Sequence, residues 1–281
     1  MLYWRLLCMA TMIITDSTAN LDASVLDRFA IKVVPLNVHL PDVVFKEGEL
    51  SNTEYYRRLR EEKFMPRTSQ PSPADFLTLY KSLRPEDNAM VILISSKLSG
   101  TVQSAQLACE MFAGHERIKV IDSYSAVMGL GFQVIKAAQM AAAAKTTAEI
   151  EKEIFTLRDK MQIFFVVDNL EYLLRGGRIS QLSSFIGSIL KVKPVLNLAD
   201  GQIGLYEKVR THQKAVDGLI NRLKQDIQNV HEVAVVHVDA QDEAELLAER
   251  VKEIFPHPII SHVNPVIGSH VGPGTLGLIY Y

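Results

Sequence analysis

The strongest constraint on how this chain can fold is an alternation in its first half. Short β-branched runs follow one another, separated by stretches with a helical period. "MIITDS" (Met12–Ser17), "IKVVPLNVHL" (Ile31–Leu40), "AMVILISS" (Ala89–Ser96) and "IKVIDSY" (Ile118–Tyr124) read as strands. "SNTEYYRRLREE", "SPADFLTLYKSL" and "TVQSAQLACEMF" between them read as helices. In the last, Val102, Ala105, Cys109 and Phe112 lie three or four apart, the spacing of a single buried face. Strands that are apolar almost throughout, joined by helices, predict a mostly parallel sheet covered on both faces. Ligands of such sheets bind beyond the carboxyl ends of the strands. Three polar tips fall there: "DST" at 16–18, "SSKLSGT" at 95–101 and "DSYS" at 122–125.

An Ala-rich helix, "GLGFQVIKAAQMAAAAK", and a charged helix around Thr147–Lys160 follow. A second unit then begins at "MQIFFVVDNL". It holds a predicted hairpin, "KPVLNLADGQIGLYEKV", with Asp200-Gly201 as its tight turn. Two amphipathic helices flank the strand "HEVAVVHV", and the chain ends in "GSHVGPGTLGLIYY". The expected class is α/β in two domains, residues 1–160 with the parallel sheet and residues 161–281 with a mixed sheet. No internal repeat or low-complexity linker separates them, so close packing is expected.

Composition narrows the function. With 281 residues, 48% hydrophobic and 22% charged, the chain can bury a large core. A net charge of −2 with scattered Lys and Arg gives no electrostatic reason to expect nucleic acid. Two cysteines, Cys8 and Cys109, make neither a disulfide framework nor a zinc cage, which points to a reducing compartment. The opening "MLYWRLLCMAT" has a signal-like apolar stretch but no small-residue cleavage site, and it runs directly into the first strand. Residues 1–11 are expected to be a disordered leader, with Met9 or Met12 as the true start. No run approaches the ~20 apolar residues of a membrane span, so a cytoplasmic protein without stable membrane insertion is expected.

Several fragments invite chemistry. "SSKLSGT" lacks the G-x-S-x-G pattern of a nucleophile elbow, and no P-loop occurs anywhere. Ser99 or Thr101 as a helix cap explains much of it, and a helix N-terminus also suits an anion. In "RTSQPSP" (Arg67–Pro73), Ser72 reads as an N-cap with Pro73 at the first helical position. That leaves Thr68 and Ser69 either as turn residues or as site residues. "GSHVGPGTLGL" sets His270 among four glycines and few other polar side chains, where a hydrogen-bonding role is expected. "LRGGRIS" places Arg175 and Arg178 around two glycines, as a solvated helix end or as an anion site. Asp16 reads as a turn or cap residue, since the second Asp of a phosphatase pair is replaced by Thr18. No H-E-x-x-H, cysteine pair at metal spacing or close carboxylate pair is present, and neither cofactor nor metal is expected.

Taken in order, "IITDSTANL", "RTSQPSP", "ISSKLSGT", "VIDSYSAVMGLG", "LRGGRIS" and "GSHVGPGTLGL" resemble the DegV family of bacterial fatty-acid-binding proteins, from about Met12 to the end. Each motif is weak alone, and six in order are specific. The resemblance implies one long-chain fatty acid with its carboxylate at the domain interface, held by Thr68, Ser99 and His270. Ser69, Ser96, Gly100 and Thr101 would be neighbours. It further implies a separate ATP-dependent fatty acid kinase that makes an acyl phosphate for phospholipid synthesis through an acyltransferase. Arg178 and Arg210 would then contact the phosphate or the kinase. Two other readings stay open on the residues: an enzyme acting on a phosphorylated or acylated small molecule with Ser99 as nucleophile and His270 as base, and a regulatory protein with a vestigial pocket.

Overall fold

A computed structural model of the chain describes residues 10–62, 64–179 and 193–281. Strands β1 (Thr11–Asp16), β2 (Lys32–Val34), β6 (Asn88–Leu93) and β7 (Ile118–Asp122) form a parallel sheet in the order β2-β1-β6-β7. Strand alternation sends Ile14 and Val91 to one face, against Phe76 and Tyr80 of α3 (Pro73–Lys81) and Ala105 of α4 (Thr101–Glu110). Ile13 and Ile92 face the other way, toward Leu130 and Val134 of α5 (Met128–Ala142). Helices therefore cover both faces, as the alternation of elements requires.

The expected strand over Ile31–Leu40 is two strands in two sheets. Pro35 has no N–H to donate and ends the ladder. Beyond it, β3 (Asn37–His39) pairs antiparallel with β4 (Val44–Lys46) and β5 (Arg67–Ser69) in a separate small sheet. Residues 10 and 11, expected in a disordered leader, are ordered. Thr11 already belongs to β1, and the Ala10 N–H donates to Asp87 at 3.1 Å. Residues 1–9, the rest of the expected leader, lie outside the described residues.

Helix α1 (Ala23–Phe29), helix α2 (Asn52–Glu62) and helix α6 (Thr147–Lys160) complete the first unit. The chain then enters a six-stranded sheet made of β8 (Gln162–Val166), β9 (Lys193–Ala199), β10 (Gln202–Val209), β11 (Val233–Val238), β12 (Ile259–His262) and β13 (Thr275–Tyr280). Its order is β10-β9-β8-β13-β11-β12, antiparallel except for the β11/β12 pair. Asp200 and Gly201 turn the β9–β10 hairpin at φ 49° and 76°, the positive values that a tight two-residue turn needs.

One face of this sheet is closed by α8 (His212–Asp226) and α9 (Gln241–Lys252), with Leu219, Leu223, Leu247 and Val251 in their shared core. The opposite face, including Phe165, Leu196, Val236 and Ile279, turns toward α5 and the first unit and joins the largest core of the molecule. Two short helices, α7 (Glu171–Gly176) and α10 (Pro265–Val271), sit at this junction. The candidate site is built there.

Candidate functional site

Helix α10 carries His270, and the first unit holds that helix tightly. Pro265 opens it, and the Val266 N–H donates to the buried Glu47 carboxylate at 2.6 Å. Burial pushes the Glu47 carboxyl up to about 7, while hydrogen bonds from Ser17 and the Val266 N–H pull against that rise. The Ser269 hydroxyl meets the Tyr55 hydroxyl at 2.7 Å, and the Tyr56 hydroxyl donates to the Val263 carbonyl at 2.8 Å. Gly268 lets the ring of Tyr56 approach, because a Cβ there would collide with the Tyr56 hydroxyl.

From this platform His270 Nε2 meets Thr68 Oγ1 at 2.6 Å, joining residues 202 apart in the chain. Thr68 is the middle residue of β5, opposite Val38, and the edge strand fixes its direction. On the other side of the ring, Nδ1 is buried without a partner against Gly176, the last residue of α7. Burial first, and the charge of Arg178 second, hold the His270 imidazole down at about 4, so it is neutral at pH 7. A neutral ring carries one N–H. Placing it on Nε2 leaves only an acceptor unpaired at Nδ1 and directs the N–H at Thr68. The Thr68 hydroxyl hydrogen is then free to point elsewhere.

That hydroxyl faces a narrow cavity between the two sheets. About 860 Å³ is unfilled by protein atoms, open mouth included. Its walls are apolar side chains from both units, among them Ile94, Ala126, Phe165, Val236 and Ile279. The polar residues reaching it are Thr68, Ser99, Arg178, His270 and Thr275. The Thr275 hydroxyl is committed to the Val271 and Gly272 carbonyls. Ser99 Oγ lies 2.9 Å from Thr101 Oγ1, and Arg178 Nε donates to the Leu98 carbonyl at 3.2 Å. Burial lowers the Arg178 guanidinium somewhat from its usual value.

Thr68, Arg178 and His270 also line a second cleft, with Arg67, Tyr172 and Arg175. The cluster is therefore a partition, apolar behind and cationic in front. Arg175, paired with Glu171 at 2.6 Å, is largely exposed, whereas Arg178 turns inward. Of the neighbouring residues, Thr101 is buried beneath Ser99, and Gly100 packs under Gln70. Neither Ser99 nor Thr101 caps α4, since the N-cap is Gly100 and no side chain completes it. Ser69 faces away from the cavity and bonds His39 Nε2 at 2.8 Å. Ser96 is exposed, with its backbone N–H on Asp122. Arg210 is exposed just after β10 and borders neither the cavity nor the outer cleft. Among the described residues, Ser99 and His270 share no hydrogen bond, so the nucleophile–base pair of the enzyme reading is not assembled.

A family model described as an uncharacterised protein of the DegV family matches residues 10–281. The chain belongs to the DegV family. A DegV domain-containing protein of Clostridium acetobutylicum is 37% identical over 280 residues, 97% of this chain and 98% of that one. Among solved structures, a DegV family protein of Thermus thermophilus described by its fatty acid binding superposes with a TM-score of 0.88 at 32% identity. It covers 97% of this chain and 99% of its own. DegV of Bacillus subtilis, described as a fatty acid binding protein, gives 0.89 at 33% identity with the same coverage. The two-domain α/β fold, with a parallel sheet and a mixed sheet, is thus that of the DegV proteins. Sequence reasoning did not find Arg67 and Tyr172 of the outer cleft, nor Glu47, because nothing local marks residues whose role comes from the packing of distant segments. No helix of the described residues is long and apolar enough to cross a membrane.

Proposed function

We propose that this DegV protein binds one long-chain fatty acid, with the tail in the narrow cavity and the carboxylate at the Thr68–Ser99–His270 partition. The observation that carries this reading is the distribution of polarity. Among the described residues, the apolar void brings the Thr68 and Ser99 hydroxyls together with His270 and Arg178, and Thr68, His270 and Arg178 also line the cationic outer cleft. A carboxylate leaving water must be hydrogen-bonded, or its burial is costly. Thr68 and Ser99 donate hydroxyl hydrogens, His270 fixes Thr68, and the half-buried Arg178 supplies the opposite charge. The tail contributes affinity: at ~0.8 kcal/mol per buried CH₂, a C16 chain yields on the order of 10 kcal/mol before the costs of binding.

In this reading the protein is a cytoplasmic carrier rather than an enzyme. A separate ATP-dependent fatty acid kinase reaches the carboxylate from the outer cleft, and the acyl phosphate passes to an acyltransferase of phospholipid synthesis. Arg178 lies where a phosphate would be met. Arg210 belongs to the surface offered to the kinase.

Mass spectrometry of an organic extract of the natively purified protein tests the reading. A near-stoichiometric long-chain fatty acid is expected, with sharply reduced content or phosphorylation in Ser99→Ala and His270→Ala. An empty protein that refuses palmitate and oleate refutes it, as does equal loading and equal phosphorylation in both variants.

A further inference from the structure

Glu47 follows β4 in a turn and is 8% exposed, with its backbone N–H on the Leu36 carbonyl at 2.8 Å. Its side chain crosses from the first unit to α10, where Oε1 accepts the Val266 N–H. Val266 and His270 stand four residues apart on that helix, on one face, and both line the apolar cavity. A displacement of α10 at Val266 is therefore a displacement of the head-group seat.

The Glu47 carboxyl is poorly provided for as an anion. Oε2 is buried and has no hydrogen-bond partner among the described residues. Around it stand the Asp16 carboxyl at the end of β1 and the Tyr55 and Tyr56 phenols of α2, none of which brings a positive charge. Lys46, next in the chain, turns away to Asp75 at 3.1 Å. Asp16 is equally buried, yet both of its oxygens are met, by the Thr18 N–H and hydroxyl and by the Ile94 N–H. A neutral Glu47 keeps the Val266 bond through its carbonyl oxygen. An ionised one adds a charge beside Asp16 with one oxygen bare, a cost that water at Oε2 relieves. Water reaches Oε2 when α10 lifts from the first unit.

We propose that Glu47 is a positioning residue that gates fatty acid exchange: neutral, it holds α10 and the head-group seat against the first unit, and ionised, it frees them. This rests on the carrier reading. Burial lifts the Glu47 carboxyl from 4.5 to about 7, and lifting α10 returns it to water and to its ordinary value. Opening therefore gains up to ~10-fold per pH unit between 4.5 and about 7, and nothing further above that window. Lipid is held tightly below the window and exchanges faster above it.

The test is the dissociation rate of a fluorescent long-chain fatty acid from the full-length protein, chased with unlabelled acid between pH 5.5 and 8.5. Wild type is compared with Glu47→Gln, whose amide oxygen still accepts from Val266 and whose side chain cannot ionise. His270 and the ligand carboxyl titrate in both proteins, so the readout is the ratio of the wild-type rate to the variant rate at each pH. That ratio is expected to rise ~10–30-fold from pH 5.5 to 7.5 and to level off above. A constant or falling ratio overturns the gate and leaves the carrier reading standing, because a purely structural Glu47 changes the rate equally at every pH. Ser17→Ala decides the matter if Glu47→Gln folds poorly. It removes a hydroxyl that favours the ionised carboxylate, so its rate relative to wild type should rise only above pH 7. Absence of that rise also overturns the gate. A wild type that binds no long-chain acid at any pH overturns both.

Discussion

Gly176→Ala isolates the head-group seat without touching a residue that contacts ligand. Gly176 ends α7, and its backbone lies outside the left-handed region, so alanine is tolerated there and improves helix propensity by up to ~1 kcal/mol. Its methyl group, however, would stand 2.6 Å from His270 Nδ1, and an unstrained contact needs ~3.4 Å. The imidazole must therefore move by somewhat under ~1 Å. It cannot retreat as a body, because α10 is fixed through Glu47, Tyr55 and Tyr56. The ring has to tilt, and the 2.6 Å bond to Thr68 is what gives way. A hydrogen bond to a charged group contributes ~1.5–3 kcal/mol, so fatty acid affinity should fall ~10–150-fold with the melting temperature nearly unchanged. Displacement of a fluorescent fatty acid measures this, with the methyl ester of the same acid as control. The ester has no carboxylate to seat and should bind wild type and variant alike. Equal affinity for the acid refutes the role of His270, and equal loss for acid and ester shows that the cavity itself has collapsed.

Two further outcomes concern stability. Gly268→Ala puts a methyl group onto the Tyr56 hydroxyl, in a core that cannot yield, and should cost ~1–3 kcal/mol in urea unfolding. A loss below ~0.5 kcal/mol would mean that α10 slides freely on α2. The pH profile is the second. Burial holds His237 and His270 down at about 4, below their unfolded 6.5, and lowers His262 as well. Their contribution is present above pH 6.5 and is lost as pH falls toward 4. Glu47, raised to about 7, acts oppositely, favouring the fold below pH 4.5 and losing that contribution as pH rises through 7. The raised Asp16 carboxyl has the same sign as Glu47. The histidines outweigh the carboxyls near pH 5.5, so the chain takes up protons on unfolding there and stability falls as the pH drops. Glu47→Gln should steepen the fall, and a shallower one would contradict this assignment.

Much of the frame is legible in the sequence where a rule acts within a few residues. Ser72 caps α3 with a full capping box through Asp75, and Pro73 begins the helix. Asp16 holds the end of β1, accepting from the Thr18 N–H at 2.9 Å and from the Ile94 N–H at 2.8 Å. The polar tips at 95–96 and 123–125 lie beyond their strands, where ligands of parallel sheets bind. What failed was decided over longer distances. Pro35 was legible as a strand breaker, yet nothing local says that its two sides join different sheets. Cavity-lining residues such as Val236 and Ile279 have the same alternation as ordinary core residues, since lining and filling demand the same side chains.

In the proposed reading, a seat built mainly from neutral groups suits a cargo handed on to another protein. A carboxylate buried against a bidentate arginine is tightly held, and its oxygens are occupied. Here Arg178, the one guanidinium among the described residues of the cavity lining, already donates its Nε–H to the Leu98 carbonyl and faces both the cavity and the outer cleft. Thr68 and Ser99 bring dipoles rather than charges, and His270 stays neutral because it is buried beside Arg178. In the proposed reading, retention is assigned to the tail and orientation to the head group. One carboxylate oxygen can then face the arginine-lined cleft without the complex losing its lipid.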